Sequence, residues 1–262
     1  MDEKLNRWFD NEVFCCDNIS LLKRLPDNSI DLIYCDILFG GRKNIKDYND
    51  IENKRSSIDN FYLPRTHEMY RILKSSGSIY IHCDYKINHW VRCILDNVFG
   101  YNNLMNEIVW RYRTGNLSKK MFRRSHDIIY LYKKTKENYF QPQEVKEYYD
   151  CIYGKGFAPS FKGRKHGADE YGEFRISQVD DVWDISAVFT LGKEWVNYQT
   201  QKPKALLERI IKASSNKGDI VADFFCGSGT ALVVAKELGR KYLGCDIGKK
   251  AINITRERLG KI

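Results

Sequence analysis

At 262 residues and 43% hydrophobic content, the chain can bury the core of one α/β domain and still carry a sizeable insertion. Its 43 Lys and Arg against 34 Asp and Glu leave a formal charge of +9, which favours a polyanionic partner. The eight cysteines include no C-x-x-C pair, no His stands at metal-ligand spacing, and no apolar run approaches the roughly 18 residues of a membrane span, so zinc and membrane roles are excluded and a reduced, cytoplasmic chain is expected.

In chain order, residues 13–16 read as a short strand, and 20–25 carry apolar residues at roughly helical spacing. Residues 31–35 read as a second strand. Residues 61–73 read as a helix that Leu73-Lys-Ser-Ser-Gly77 closes with a glycine stop signal, and 78–83 as a third strand. This β/α alternation predicts a doubly wound, mostly parallel sheet. Two aromatic-rich runs, 107–112 and 127–132, are expected to pair as a hairpin across the basic segment 113–124. Residues 136–197, rich in Tyr, Gly and charge but weak in periodicity, read as an irregular insertion. Its aromatic content argues against a floppy linker.

The most informative run is Asp219-Ile-Val-Ala-Asp-Phe-Phe-Cys-Gly-Ser-Gly-Thr230, a buried strand that enters a glycine turn just before the helix expected over 231–238. A glycine turn between a strand end and a helix N-terminus lets backbone approach a ligand closely. The next strand, 241–245, delivers Asp246, about 20 residues past the glycines, where an acid can hydrogen-bond the ribose hydroxyls of an adenosine-containing cofactor. Too little chain follows Asp246 to complete a doubly wound sheet. The remaining strands must precede the cofactor loop, so the order is circularly permuted. Two basic clusters stand apart from this framework. Arg111, Arg113, Lys119, Lys120, Arg123 and Arg124 are interleaved with Tyr112 and Phe122, and Lys162, Arg164, Lys165 and His166 follow in the insertion. Cations with aromatic contacts are the pattern of nucleic-acid binding.

A second site signal is Ile30-Asp-Leu-Ile-Tyr-Cys-Asp-Ile-Leu-Phe-Gly40, a buried strand ending in an acid, two apolar residues and an aromatic. Taken with the glycine loop, the chain resembles the amino-directed DNA methyltransferases that use S-adenosylmethionine, in the permuted order where the catalytic motif comes first. Cys16-Asp17-Asn18, the Gly-Ser-Ile-Tyr-Ile-His core of 61–83, Asn106-Glu-Ile-Val-Trp110, His126-Asp-Ile-Ile-Tyr130 and Thr200-Gln-Lys-Pro203 with the helix 206–215 follow in the family's order. The resemblance implies a Rossmann-like α/β fold with a catalytic half over 1–135, a target-recognition insertion over 136–197 and a cofactor-binding half over 198–262. It implies that Phe225, Gly227, Ser228, Gly229 and Thr230 cradle the methionine portion of S-adenosylmethionine and that Asp246 holds its ribose. Thr200 and Lys202 would support its carboxylate side, and Asp17 would lie near the adenine ring, although Asp17 is also placed to cap the following helix. Asp36 and the carbonyl of Ile37 would accept hydrogen bonds from an exocyclic amine, and Phe39 would stack on the flipped base.

The expected activity is site-specific methylation of adenine N6 in double-stranded DNA, with cytosine N4, or a catalytically impaired protein that binds cofactor and DNA, as alternatives. A cognate restriction endonuclease and a homodimeric assembly are left open. The family motif reads Asp-Pro-Pro-aromatic where this chain has Asp36-Ile37-Leu38-Phe39. Losing two compatible prolines costs rigidity of about 1 to 2 kcal/mol, enough to slow an enzyme without abolishing it. Obstruction of the pocket by Ile37 and Leu38 would be more serious.

Overall fold

Eight strands, most of them apolar on both faces, line up in one sheet that organises the protein. The computed structural model describes residues 11–38, 51–112, 119–149 and 165–262. The sheet strands are β1 (Glu12–Cys15), β2 (Ile30–Asp36), β3 (Leu73–Cys83), β4 (Leu104–Arg111), β5 (His126–Lys133), β9 (Val182–Asp184), β10 (Ile220–Asp223) and β11 (Lys241–Asp246). They run in the order β1-β11-β10-β2-β3-β5-β4-β9. Every pairing from β1 to β3 is parallel, and β5 runs antiparallel to both β3 and β4. The helices are α1 (Asn18–Leu22), α2 (Arg55–Ile72), α3 (Asn88–Phe99), α4 (Lys204–Ser214), α5 (Thr230–Glu237) and α6 (Lys249–Gly260).

The permuted order is visible in the pairing. β10 and β11 come last in sequence yet lie between β1 and β2, so the two ends of the chain meet inside one sheet. From the central pair, β2 leads onward to β3 on one side and β10 to β11 on the other. The crevice outside the carboxyl ends of two such strands is where doubly wound sheets bind ligands. β2 is buried along nearly its whole length, as a strand covered on both faces must be, and its last residue is Asp36.

β1, β2, β3, β10, β11 and the hairpin of β4 and β5 stand where the sequence predicts strands, whereas β9 falls in the stretch read as irregular and α1 spans Asn18–Leu22 where 20–25 was expected. Gly77 also departs from expectation. It lies inside β3, not after a helix, and a Cβ there would stand 2.9 Å from the Asp31 carbonyl oxygen of β2 and 2.7 Å from the Leu73 side chain. The glycine admits a close strand approach and stops no helix. α2 begins at Arg55, ahead of the expected residue 61, and carries Pro64 in its interior. No element is expected over 88–99, yet Val91, Ile94, Leu95 and Phe99 recur at helical spacing and α3 buries all four.

Residues Gln141–Asp180 form a compact unit of their own. Within it, β6 (Glu144–Tyr148), β7 (His166–Asp169) and β8 (Gly172–Gln178) make an antiparallel sheet in the order β6-β8-β7. Tyr148 packs edge-on to Phe174 at 5.8 Å, and Glu147 accepts hydrogen bonds from Arg175 Nε and Ser177 Oγ. The insertion is therefore more regular than its weak periodicity suggests. Cross-strand pairs hold this small sheet where no continuous apolar stripe exists. β9 joins the large sheet by pairing with β4, and the Trp110 indole donates to the Ile185 carbonyl at 2.8 Å.

Candidate active site

A cavity of about 410 Å³ opens at the carboxyl ends of β2 and β10. Its floor is the turn from β10 into α5, where Gly227 (φ 52°) and Gly229 (φ 73°) take left-handed conformations that disfavour a side chain. A Cβ at Gly229 would stand 2.4 Å from Thr255 Cγ2, and one at Gly227 would stand 3.1 Å from the Tyr198 ring. α6 clasps the turn from behind. Thr255 Oγ1 donates to the Gly227 carbonyl at 2.9 Å, and Arg258 Nη1 donates to the Ser228 carbonyl at 2.6 Å and to Thr230 Oγ1 at 3.0 Å. Asp246, at the end of β11, accepts from the Gly227 N–H at 2.9 Å and the Gly248 N–H at 2.7 Å. Each of these oxygens has a second lone pair, so Asp246 can hold the turn and still take a hydroxyl.

The opposite wall comes from α1 and α2. Asp17 caps α1, its Oδ1 accepting from the Ile19 N–H at 3.3 Å, and the same oxygen accepts from Arg65 Nη2 at 2.8 Å. Arg65 Nε also donates to Asn18 Oδ1 at 2.6 Å, and Asn18 Nδ2 donates to the Phe224 carbonyl at 2.9 Å. The guanidinium lies 3.6 Å from the Phe61 ring, and Phe61 faces Phe225 at 6.4 Å. Capping and cavity lining are thus both done by Asp17. Cys16 lines the same wall, and a hydrogen bond from Cys245, opposed by burial, lowers its thiol to about 7.

Asp36 occupies the back of the cavity. Its Oδ2 pairs with the Lys202 ammonium, and its Oδ1 is buried with no hydrogen-bond partner among the described residues. Lys202 therefore neutralises the acid on β2, where the sequence suggests a place on the carboxylate side of a cofactor; Thr200 lines the cavity beside it. The Ile37 N–H donates to the His82 carbonyl at 3.1 Å, and the Tyr62 hydroxyl donates to the Leu38 carbonyl at 3.0 Å. The Ile37 side chain belongs to the hydrophobic core. Behind Asp36 lies a buried polar chain. Tyr34 Oη is 3.0 Å from His82 Nδ1, His82 Nε2 is 3.3 Å from Asp127 Oδ2, and the Tyr112 hydroxyl donates to Asp127 Oδ1 at 3.0 Å. Asp223, fully buried at the end of β10, has its carboxyl pushed well above the usual range by burial, with Asp36 and Asp246 adding to the effect.

Comparison with known proteins assigns this architecture. The profile of the DNA methylase family of N6 and N4 methyltransferases matches residues 30–257. The chain belongs to that family. The methylase is 34% identical to the type II methyltransferase M.HpaI of Haemophilus parainfluenzae over 95% of its own length and 74% of the relative's. It is 32% identical to the DNA adenine methyltransferase YhdJ of Escherichia coli K12, over 93% and 80% of the two chains. Among solved structures, the cytosine-N4-specific PvuII DNA methyltransferase superposes with a TM-score of 0.67 at 16% identity, covering 94% of this chain and 85% of that one. The methylase is an S-adenosylmethionine-dependent DNA methyltransferase acting on an exocyclic amine, adenine N6 or cytosine N4. Its residues fit that cofactor: the glycine turn leaves a cradle that a Cβ would fill, and the Asp17 and Asp246 carboxylates and the Phe225 ring border the same cavity.

Of the residues singled out in the sequence, the structure gathers Asp17, Asp36, Ile37, Thr200, Lys202, Phe225, Gly227, Ser228, Thr230 and Asp246 around one cavity, with Gly229 in the turn behind it. Phe39, Arg113, Lys162 and Arg164 lie outside the described residues. Lys119, Lys120, Arg123 and Arg124 are exposed on the loop between β4 and β5, together with Met121 and a Phe122 that is 99% exposed. Arg124 stacks 4.0 Å over Tyr85 and donates to its hydroxyl. Two members of this cluster are committed elsewhere: Arg111 pairs with Asp184, and Tyr112 packs on Trp110 at 4.7 Å and serves the Asp127 network. In the separate unit, Lys165 is exposed and stands 3.7 Å from Glu144. Tyr198 and Arg65 also shape the site, as does Asn18 of the Cys16-Asp17-Asn18 motif. No local motif marks Tyr198 or Arg65, since each is brought in by a contact distant in sequence.

Proposed function

We propose that the methylase transfers a methyl group to adenine N6 in double-stranded DNA, with Asp36 as the acid that engages the amine. The observation that carries this is the buried Asp36 Oδ1, without a hydrogen-bond partner among the described residues, on the wall of the cavity that the glycine turn floors. An exocyclic amine is a poor nucleophile because its lone pair is delocalised into the ring. Accepting one N–H at Asp36 Oδ1 and the second at the Ile37 carbonyl draws the nitrogen toward tetrahedral geometry. S-adenosylmethionine supplies, when bound, a methyl group on a positive sulfonium. The protein's own contribution is orientation, which can be worth roughly 7 to 11 kcal/mol, and acceptors for the charge developing on nitrogen. Lys202 occupies the other oxygen of Asp36 and so leaves Oδ1 facing the cavity.

Two hydrogen bonds hold the segment that lacks the motif's prolines, and the first of them is one a proline could not make. The Ile37 N–H, which a proline would lack, ties the turn to β3, and Tyr62 ties Leu38 to α2. These bonds support catalysis without the prolines. Adenine is favoured over cytosine by the relative named as an adenine methyltransferase, at 32% identity, whereas the cytosine-specific structure at 16% speaks for fold alone. We assign flipped-base stacking to Phe39, phosphate contacts to Lys119, Lys120, Arg123 and Arg124, and target recognition to 136–197 with Lys162, Arg164 and Lys165. The type II names of several relatives suggest a cognate restriction endonuclease.

The deciding experiment incubates the protein with isotope-labelled S-adenosylmethionine and unmethylated duplex DNA of mixed sequence, then identifies labelled nucleosides by mass spectrometry. N6-methyladenine is expected. N4-methylcytosine would replace the adenine assignment. No labelled base, from protein that binds both cofactor and DNA, would overturn the catalytic reading.

A further inference from the structure

Asp36 and His82 are register partners on β2 and β3, so their side chains share one face of the sheet. His82 is fully buried, with Asp127 on one side of the ring, the Tyr34 hydroxyl on the other and Trp110 edge-on at 5.4 Å. Its Nδ1 is 3.6 Å from Asp36 Oδ1, close enough to affect that oxygen but too far for a hydrogen bond.

The neighbours determine where the imidazole proton sits. Burial pushes the Asp127 carboxyl up, but the hydrogen bond and the charge of His82, then the charge of Lys202 and the hydrogen bond from Tyr112, outweigh this and hold it below its ordinary value. Asp127 is therefore an acceptor only, and with Tyr112 on Oδ1 its Oδ2 takes the Nε2 proton. Burial, with the charge of Asp36, pushes the Tyr34 phenol well above its usual range, so Tyr34 stays protonated and has a proton to offer Nδ1 at 3.0 Å. An Nε2–H imidazole satisfies both contacts. An Nδ1–H imidazole would leave Nε2 lone pair against carboxylate and place a proton within a small rotation of Asp36 Oδ1.

Building on the role given to Asp36 above, we propose that Tyr34, His82 and Asp127 are positioning residues that hold His82 as the Nε2–H tautomer, so that no protein proton caps Asp36 Oδ1 and that oxygen is kept for the substrate amine. A donor seated on Oδ1 would compete with the amine for the lone pairs that activate it. Asp127→Asn tests this. An amide offering its NH2 to Nε2 drives the ring proton to Nδ1, toward Tyr34 and Asp36, without changing the size of the side chain.

The first measurement is 15N NMR of histidine-labelled protein near neutral pH, without cofactor or DNA, the His82 signals being assigned by their loss in His82→Gln. Wild type is expected as Nε2–H and Asp127→Asn as Nδ1–H. Methyl transfer by Asp127→Asn is expected to fall roughly 100-fold, as when one hydrogen bond to developing charge is lost. Cofactor affinity by calorimetry should stay unchanged. Wild-type His82 found as Nδ1–H or doubly protonated, or full activity in a variant whose tautomer has switched, would overturn the inference. Should Asp127→Asn not fold, Tyr34→Phe removes one oxygen and frees Nδ1; loss of activity together with displaced His82 ring 15N signals is expected, and no change in either would count against the proposal. Failure of the methyl-transfer reading itself looks different: an inactive wild type with the Nε2–H tautomer in place.

Discussion

One acidic group and a thiol test the cavity residue by residue. Replacing Asp36 with Ala removes the amine's acceptor while leaving the glycine turn and Asp246 intact, so methyl transfer should fall by about 10² to 10³. Calorimetric affinity for S-adenosylmethionine should change little; a parallel loss of cofactor binding would move Asp36 into the binding site proper. Cys16 offers a readout that needs no turnover. Hydrogen bonding from Cys245, against opposing burial, lowers its thiol to about 7, so iodoacetamide labelling should rise through neutral pH and reach Cys16 well before the buried Cys245. Because Cys16 lines the cavity, cofactor at ten times its Kd should slow that labelling about tenfold, with exposed Cys93 as the control. Peptide mass spectrometry showing equal labelling with and without cofactor would place the cofactor elsewhere.

At the scale of elements, the turn between β10 and α5 depends on α6. Gly229→Ala puts a left-handed φ under a side chain and a methyl 2.4 Å from Thr255, so it should destabilise the fold by about 2 to 4 kcal/mol and weaken cofactor binding. Adding Thr255→Ala should recover the part of that loss due to Cγ2 and Oγ1, but neither the backbone part nor the remaining contact with the residue-255 Cβ at 2.9 Å. Denaturant midpoints of the four proteins in the cycle check this, and strict additivity would refute the clash. The loop between β4 and β5 makes the complementary case for DNA. Removing Arg123 and Arg124 should lower the slope of log affinity against log salt by about 2, and an unchanged slope would show that neither touches phosphate.

These elements also show what could be read from the chain. β2 with Asp36, and β10 with its glycine turn and Asp246, were legible because each site residue sits at the end of a continuous apolar run, where local pattern and position coincide. Arg65, Tyr198 and the His82–Asp127 contact were not, since each depends on which strands and helices become neighbours. Tyr112 was misplaced for the same reason: beside arginines it looks like part of a nucleic-acid surface, but strand alternation turns it onto Trp110 and Asp127. Gly77 looked like a helix stop because a glycine after an amphipathic run usually is one, and only the closeness of β2 reveals its use.

For the molecule as a whole, the site's electrostatics should appear in the pH dependence of stability. Asp223 is fully buried between β2 and β11 with the charges of Asp36 and Asp246 nearby, and burial first, then those charges, push its carboxyl well above the ordinary range. A raised native pKa means that the folded protein holds a proton which the unfolded chain gives up. The contribution is fully present below the ordinary aspartate value near 4 and is lost as pH rises toward the native value, by about 1.4 kcal/mol per pH unit. Asp127 has the opposite sign: its lowered native value favours the fold above the ordinary range, and that contribution is lost only in acid. Between about pH 5 and 8 the Asp223 contribution should therefore dominate the difference between wild type and Asp223→Asn, whose amide oxygen can still accept from the Phe225 N–H. The variant's advantage in urea midpoint should grow from pH 5 to pH 8. A difference that stays constant across that range would mean that Asp223 is ionised in the folded protein, and the back of the cavity would then carry one more negative charge than the arrangement around Asp36 requires.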